Sequence, residues 1–247
     1  MNNSSSVNSS SNSESVSVIL PSYNERENIE EAVDRISAAL GDQLLEIIIV
    51  DDDSPDETWK LVKELNREKV NLIHRKEEKG LASALAAGVE KSSGDIVVWL
   101  DCDLGIPPEE IINLIQQLNI YDVSIGSRYV KNGSDSRAKW ITISSKIVNI
   151  LAQIMLTNEV KDYTSGFIAL KRNVVDKIKI NPQGFGEYFI EFVYRCIQEK
   201  YKIIEIGYAY GNRKGGVSKS SDNFIVFIKL GFNYIKKIIF LTFKNKL

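Results

Sequence analysis

The chain of 247 residues has one histidine, His74, and two cysteines, Cys102 and Cys196. That scarcity excludes a disulfide framework and any zinc site built from His and Cys, and it suits a reducing compartment. Opposite charges nearly cancel, with 31 Lys and Arg against 33 Asp and Glu, a net charge of −2. An overall basic surface for nucleic acid is thereby excluded, and no nucleic-acid partner is expected. No run approaches the roughly 18 consecutive apolar residues of a membrane span, and the N-terminus lacks a charged and apolar signal-peptide pattern. The chain is expected to stay on the side of the membrane where it is made.

What is present divides into three stretches. Residues 2–15 are Ser and Asn apart from Val7 and Glu14. They carry no apolar surface to offset the entropy of ordering, so residues 1–15 read as a disordered tail. From Val16 to about residue 221, short apolar runs alternate with amphipathic stretches, the pattern of βα units around a mainly parallel sheet. Strands are expected over 16–20, where Pro21 closes the run, and over 46–50, 71–74, 96–100 and 122–125. Helices are expected over 25–40, from Ser54-Pro55-Asp56 to about Leu65, and over 80–90, 107–118 and 140–156. The fold class is α/β, a Rossmann-like doubly wound sheet, and ligands of such sheets bind outside the carboxyl ends of the strands.

Those ends are acidic: Asn24-Glu25 after the first strand, Asp51-Asp52-Asp53 after the second, Asp101-Cys102-Asp103 after the fourth. Converging carboxylates repel unless a cation or donors compensate them, and a cation is the simplest expectation. The i, i+2 spacing of Asp101 and Asp103 lets two hard oxygen ligands address one Mg²⁺ or Mn²⁺ that also holds a diphosphate.

Taken in order, Ser17-Val18-Ile19-Leu20-Pro21-Ser22-Tyr23-Asn24-Glu25, Val50-Asp51-Asp52-Asp53-Ser54, Lys79-Gly80-Leu81, Gly94-Asp95, Asp101-Cys102-Asp103-Leu104, Gly126-Ser127-Arg128-Tyr129, Ser165-Gly166-Phe167 and Gly216-Val217-Ser218-Lys219 form a set. Over about residues 16–220 the chain resembles family-2 glycosyltransferases of the GT-A fold, of the polyprenyl-phosphate mannosyltransferase type. The resemblance implies inverting transfer of mannose from GDP-mannose to dolichyl or polyprenyl phosphate. It also implies nucleobase and ribose contacts at Pro21, Tyr23, Glu25, Val50 and Asp52, and further donor contacts at Asp101, Cys102 and Asp103, with Asp101 and Asp103 binding ribose or diphosphate through Mg²⁺ or Mn²⁺. Arg213 and Lys219, on a loop with Gly215 and Gly216, are implied to neutralise the leaving diphosphate. Arg128, Ser145 and Asn149 match acceptor positions, Arg128 suiting a phosphate dianion bidentately.

Two positions depart from the family pattern. Gly105 stands where a Gln side chain often ligates the metal, and Ile141 where a second acceptor arginine is expected, for which Arg137, Lys139 or Lys146 are the available substitutes. Two alternatives stay open: glucosyl transfer from a UDP donor to the same lipid, and a binding relative without turnover.

Residues 222–247 carry a helical pattern with Lys229, Asn233, Lys236, Lys237 and Lys244 on one narrow face and apolar residues over most of the rest. Such a helix is expected to lie in a membrane interface, with a soluble-core helix as the alternative. Trp140–Leu156 is a second broad apolar helix. Together they imply a peripheral protein at the cytoplasmic face of a membrane, with a membrane subunit as a possible further partner.

Overall fold

The computed structural model describes residues 14–211 and 224–244, the side chains of 224–228 excepted. The Ser/Asn-rich stretch up to residue 13, Arg213 and the Gly215–Lys219 loop lie outside the described residues. Ser15 already belongs to the fold, since its backbone N–H and hydroxyl both donate to Asp95, at 2.9 and 2.7 Å.

The first half of the chain contributes β1 (Val16–Ser22), α1 (Ile29–Leu40), β2 (Leu44–Asp51), α2 (Thr58–Leu65), β3 (Val70–His74), α3 (Leu81–Lys91), β4 (Ile96–Trp99), α4 (Glu110–Gln117) and β5 (Val123–Ser127). The second half adds β6 (Ser134–Asp135), α5 (Lys139–Met155), β7 (Ile168–Lys171), α6 (Arg172–Lys177), α7 (Tyr188–Gln198), β8 (Ile203–Gly207), β9 (Ala209–Tyr210) and α8 (Phe224–Lys244). Seven strands form one sheet in the order β3-β2-β1-β4-β7-β5-β8. All neighbours run parallel except β7, which is antiparallel to both β4 and β5. β6 and β9 form a separate parallel pair.

Both faces of the sheet are covered, so its central strands show no alternation of polar and apolar residues. Ile29, Val33 and Ile36 of α1 and Ile111 and Leu114 of α4 pack on one face. Leu85 of α3, Ala152 of α5, Phe189 and Val193 of α7, and Ile238 and Leu241 of α8 pack on the other.

Among the boundaries that differ from the sequence expectation, three have a clear local cause. Pro21 does not end β1: it pairs in register with Val50, while the ladder to β4 stops earlier, at Ile19 and Trp99. α1 begins at Ile29, because Asn24 turns the chain with a positive φ of 57°. α2 begins at Thr58, whose N–H and hydroxyl both donate to Asp56 Oδ1 at 3.0 and 2.6 Å, leaving Pro55 in the preceding loop.

α8 packs against α5 and α7. Its Ile238 and Leu241 are buried, and Lys237 Nζ donates to Glu191 Oε2 of α7 at 2.6 Å. Lys237 is thus withdrawn from the basic stripe, because the turn that buries Ile238 carries it over α7. No helix among the described residues is long and apolar enough to cross a membrane.

Candidate active site

A cavity of about 430 Å³ opens at the carboxyl ends of β1, β2 and β4 and extends to the loop after β5. Pro21, Tyr23, Glu25, Asp52, Asp101, Cys102, Asp103, Arg128 and Arg137 all line it. Val50 does not: strand alternation turns its side chain under α3, where it is fully buried, so it cannot touch a ligand through its side chain. Ser145 stands outside the lining and reaches the cavity wall through Thr164, its hydroxyl 3.1 Å from Thr164 Oγ1.

The three carboxylates Asp51, Asp52 and Asp53 go three ways, and each finds compensation among neighbouring side chains and backbone N–H groups. Asp51 accepts from Ser22 Oγ, Ser54 N and Ser54 Oγ at 3.0, 2.9 and 2.6 Å. Asp53 lies 2.6 Å from His74 Nε2, and the His74 ring stacks on Trp59 at 4.5 Å. Only Asp52 faces the cavity. Its Oδ1 accepts from Arg75 Nε and Nη2 at 2.7 and 2.5 Å, and its Oδ2 from Gly80 N at 2.7 Å. Three of about four lone-pair sites are thereby used, which fixes the carboxylate and leaves one acceptor position toward the cavity. Arg75 was not marked by any sequence pattern; its one signal is its place directly after β3. Nearby, Glu25 accepts from Asn28 Nδ2 at 3.0 Å, and Lys79 Nζ stands 5.6 Å from the Tyr23 ring centre.

Asp101 and Asp103 line the middle of the cavity, and Asp103 is held by a 2.9 Å bond from Gly105 N to its Oδ1. A Cβ at position 105 would stand 2.9 Å from Tyr210 Cζ and Oη and 3.0 Å from Asp103 Oδ1. Tyr210 therefore occupies the space in which a longer side chain would approach a metal, and glycine is the residue that fits. Among the described residues no group of three His, Cys, Asp or Glu converges as a complete protein metal site. Two carboxylates beside a diphosphate still meet the preference of Mg²⁺, which usually takes one or two carboxylates, phosphate oxygens and water.

At the other end of the cavity Arg128 is 5% exposed. Its Nε and Nη2 donate to the two oxygens of Asp162 at 2.9 and 2.7 Å, its backbone N–H to Asp162 at 2.9 Å, and Nη2 also to Thr164 Oγ1 at 2.8 Å. Burial works against the guanidinium charge, but the charge and bonds of Asp162 outweigh it and hold Arg128 well above its ordinary pKa. Glu205 in turn accepts from Lys161 N and Asp162 N at 2.7 and 2.9 Å, and its burial raises its carboxyl above the usual range. Asn149 Nδ2 donates to Thr164 Oγ1 at 2.8 Å. Arg137 is fixed by Asp135 through bonds of 2.9 and 2.6 Å and lies 4.9 Å over the Tyr210 ring. Arg137, one of the substitutes for the arginine absent at Ile141, thus brings a cation to the cavity. Lys146 faces a neighbouring cavity on the other side of Arg128.

Comparison with known proteins accords with this arrangement. Residues 17–179 match the family model described as glycosyl transferase family 2. The chain is 42% identical over 229 residues to a dolichol-phosphate mannosyltransferase of Pyrococcus furiosus, a match covering 90% of this chain and 62% of that protein. The chain thus spans less than two thirds of the Pyrococcus protein. It is 33% identical over 214 residues to a polyprenol monophosphomannose synthase of Mycolicibacterium smegmatis, covering 83% of this chain and 80% of that one. Among solved structures, glucosyl-3-phosphoglycerate synthase from Mycobacterium tuberculosis, in complex with Mn²⁺, UDP-glucose and phosphoglyceric acid, superposes with a TM-score of 0.72 at 19% identity, over 93% of this chain and 80% of that one. The fold is therefore the mixed α/β sheet of GT-A enzymes, and the chain belongs to glycosyltransferase family 2.

Proposed function

We propose that this chain is an inverting glycosyltransferase that moves mannose from GDP-mannose to the phosphate of a dolichol or polyprenol at a membrane surface. The observation that carries the proposal is one continuous cavity running from Tyr23, Glu25 and Asp52, past Asp101 and Asp103, to the clamped guanidinium of Arg128. The names of the two relatives support the mannosyl donor and the lipid acceptor.

The nucleotide lies at the Tyr23–Asp52 end, where an aromatic face and a fixed carboxylate suit a planar base with N–H donors. Asp101 and Asp103 would hold Mg²⁺ or Mn²⁺, which when bound neutralises charge developing on the leaving diphosphate. Arg128 and Arg137 receive the acceptor phosphate. A phosphate oxygen is already anionic at neutral pH, so the acceptor needs orientation more than deprotonation. Asp162 serves that orientation: both of its oxygens are spent on Arg128, so it holds the cation in place and takes no proton. Arg213 and Lys219 complete the neutralisation of the leaving group in this proposal.

Two exposed apolar rows support a peripheral position at the bilayer. α5 presents Trp140, Ile143, Ile147, Ile150 and Ile154, and α8 presents Phe232, Ile239, Phe240 and Phe243, with Lys229, Lys236 and Lys244 exposed beside them. Apolar side chains at this spacing lie in the interfacial region, and basic residues add attraction to anionic lipid. The Arg128–Thr164 end of the cavity is next to α5 through Ser145 and Asn149, a position that suits the arrival of a lipid phosphate.

The test is incubation with GDP-mannose or UDP-glucose, a short polyprenyl phosphate, and Mg²⁺ or Mn²⁺ with a chelator control. A mannosylated lipid formed only with metal is the expected result. Transfer from UDP-glucose alone would overturn the mannose assignment, and no transfer from either donor would favour a binding relative.

A further inference from the structure

Beyond Asp101 and Asp103 the cavity is walled by the rings of Phe185, Tyr188, Tyr210 and Tyr234. The last of these comes from α8, the helix whose opposite side turns Phe232, Phe240 and Phe243 outward. Its phenol reaches inward until the hydroxyl lies against Gly186. A Cβ at position 186 would stand 1.8 Å from Tyr234 Oη and 3.0 Å from its Cζ, so the ring takes this place only because residue 186 is glycine. The register of the helix is fixed one turn further on by the Lys237–Glu191 pair at 2.6 Å and by buried Ile238. The hydroxyl is within electrostatic reach of Glu187, Arg128, Asp101 and Arg137, and Tyr234 lines the cavity together with the last three. Its burial raises its pKa well above the ordinary tyrosine value, so it stays a proton donor at every working pH.

We propose that Tyr234 is a sugar-positioning residue: the aromatic walls take the C–H face of the transferred hexosyl group, and the Tyr234 hydroxyl donates a hydrogen bond to one of its hydroxyls. The chemistry suits a pyranose, which offers apolar C–H surface to rings and O–H groups to a polar handle. A neutral donor at this point orients the sugar without repelling the diphosphate or competing for the arginines. The outward-facing helix therefore also completes the sugar subsite, an assignment that rests on the glycosyl-donor function proposed above.

The test is Tyr234→Phe in the full chain, which keeps the ring and its packing, beside Gly186→Ala, which forces the phenol out of its place. Thermal unfolding, affinity for GDP and UDP without sugar, and kcat/KM with GDP-mannose and with UDP-glucose are measured for each. Tyr234→Phe is expected to keep the unfolding midpoint and the nucleoside-diphosphate affinity while kcat/KM for the donor falls about five- to tenfold, the value of one hydrogen bond. Gly186→Ala is expected to lower kcat/KM at least as far, again with nucleoside-diphosphate affinity retained. Wild-type kcat/KM in Tyr234→Phe overturns the proposal and leaves the tyrosine a packing residue. An equal loss of nucleoside-diphosphate affinity overturns it too, because the effect would then lie on the nucleotide. If the wild type uses UDP-glucose and not GDP-mannose, the mannose assignment fails separately, and the variants are compared on the glucosyl donor.

Discussion

The two ends of the cleft are built in opposite ways. At the donor end every functional carboxylate sits at a strand terminus, and most of its partners come from the same or the adjoining βα unit: Asp52 with Arg75 and Gly80, Asp51 with Ser22 and Ser54, Asp103 with Gly105. At the acceptor end the central group is a cation, and its support comes from distant segments: Arg128 on Asp162 and Thr164, Asp162 on Glu205, Thr164 on Asn149. In the function proposed above, the first end holds anions apart, ready for a cation and a diphosphate. The acceptor end needs a permanent positive charge in a buried place, which requires a paired carboxylate supplied from far along the chain. Loss of one residue should therefore injure chemistry at the first end and the fold at the second.

The largest effect expected on that contrast is at Asp103. Asp103→Asn keeps an acceptor for Gly105 N but removes a charge, so kcat/KM should fall by about 10³-fold with the unfolding midpoint unchanged. Steady-state transfer in metal-reconstituted buffer, next to a melting curve, measures both, and retained turnover would break the donor-end assignment. Next comes Asp162→Asn, which takes from the buried guanidinium its hydrogen-bonded carboxylate, leaving Asp135 at 3.9 Å, and should cost up to about 3–5 kcal/mol in denaturant unfolding. A loss of transfer greater than about 100-fold without loss of stability would instead make Asp162 a general base and erase the contrast.

The smallest effect sharpens the boundary between the cleft and α8. Glu191 is buried, which alone would raise its pKa, yet bonds from Lys237 and Asn181 bring it below the ordinary value of 4.5. A carboxyl depressed in the folded state stabilises fully above its unfolded pKa, and that contribution is lost as pH falls through the folded pKa. Lys237→Met should therefore be less stable than wild type by about 1–3 kcal/mol near neutrality, with the difference shrinking at pH below 4.5. Urea titrations of both proteins across that range decide it, and a difference that persists in acid would show that packing, not charge, docks the helix.

The same contrast explains what could be read from sequence. Strand-end motifs are local, so Asp101-Cys102-Asp103 after an apolar run and Tyr23 to Glu25 after the first strand mark residues that line the cavity. Arg75 has no pattern of its own, because its meaning lies in a carboxylate 23 positions away. The Val50 side chain turns into the core beside a motif that lines the cavity, because a motif names a stretch of chain and not the side to which each side chain points. Lys237 looked like part of a solvent-facing stripe because projection of a single helix contains no information about Glu191 on α7. Tyr210 beside Gly105 and Tyr234 beside Gly186 were equally invisible, since each glycine is explained by a ring from another part of the chain.

The antiparallel strand β7 has a further consequence, for the order in which the molecule can form. Among the described residues, β1 to β4 pair with one another, but β5 finds sheet partners only in β7 and β8. Four residues, Ile168–Lys171, therefore carry all the ladder between the two groups of strands. During synthesis from the N-terminus β1, β2 and β3 can zip together early, and β4 can join them as soon as it emerges. β5 must wait some forty residues for the strand that joins it to them, so the Arg128 end of the cleft is the later part to form.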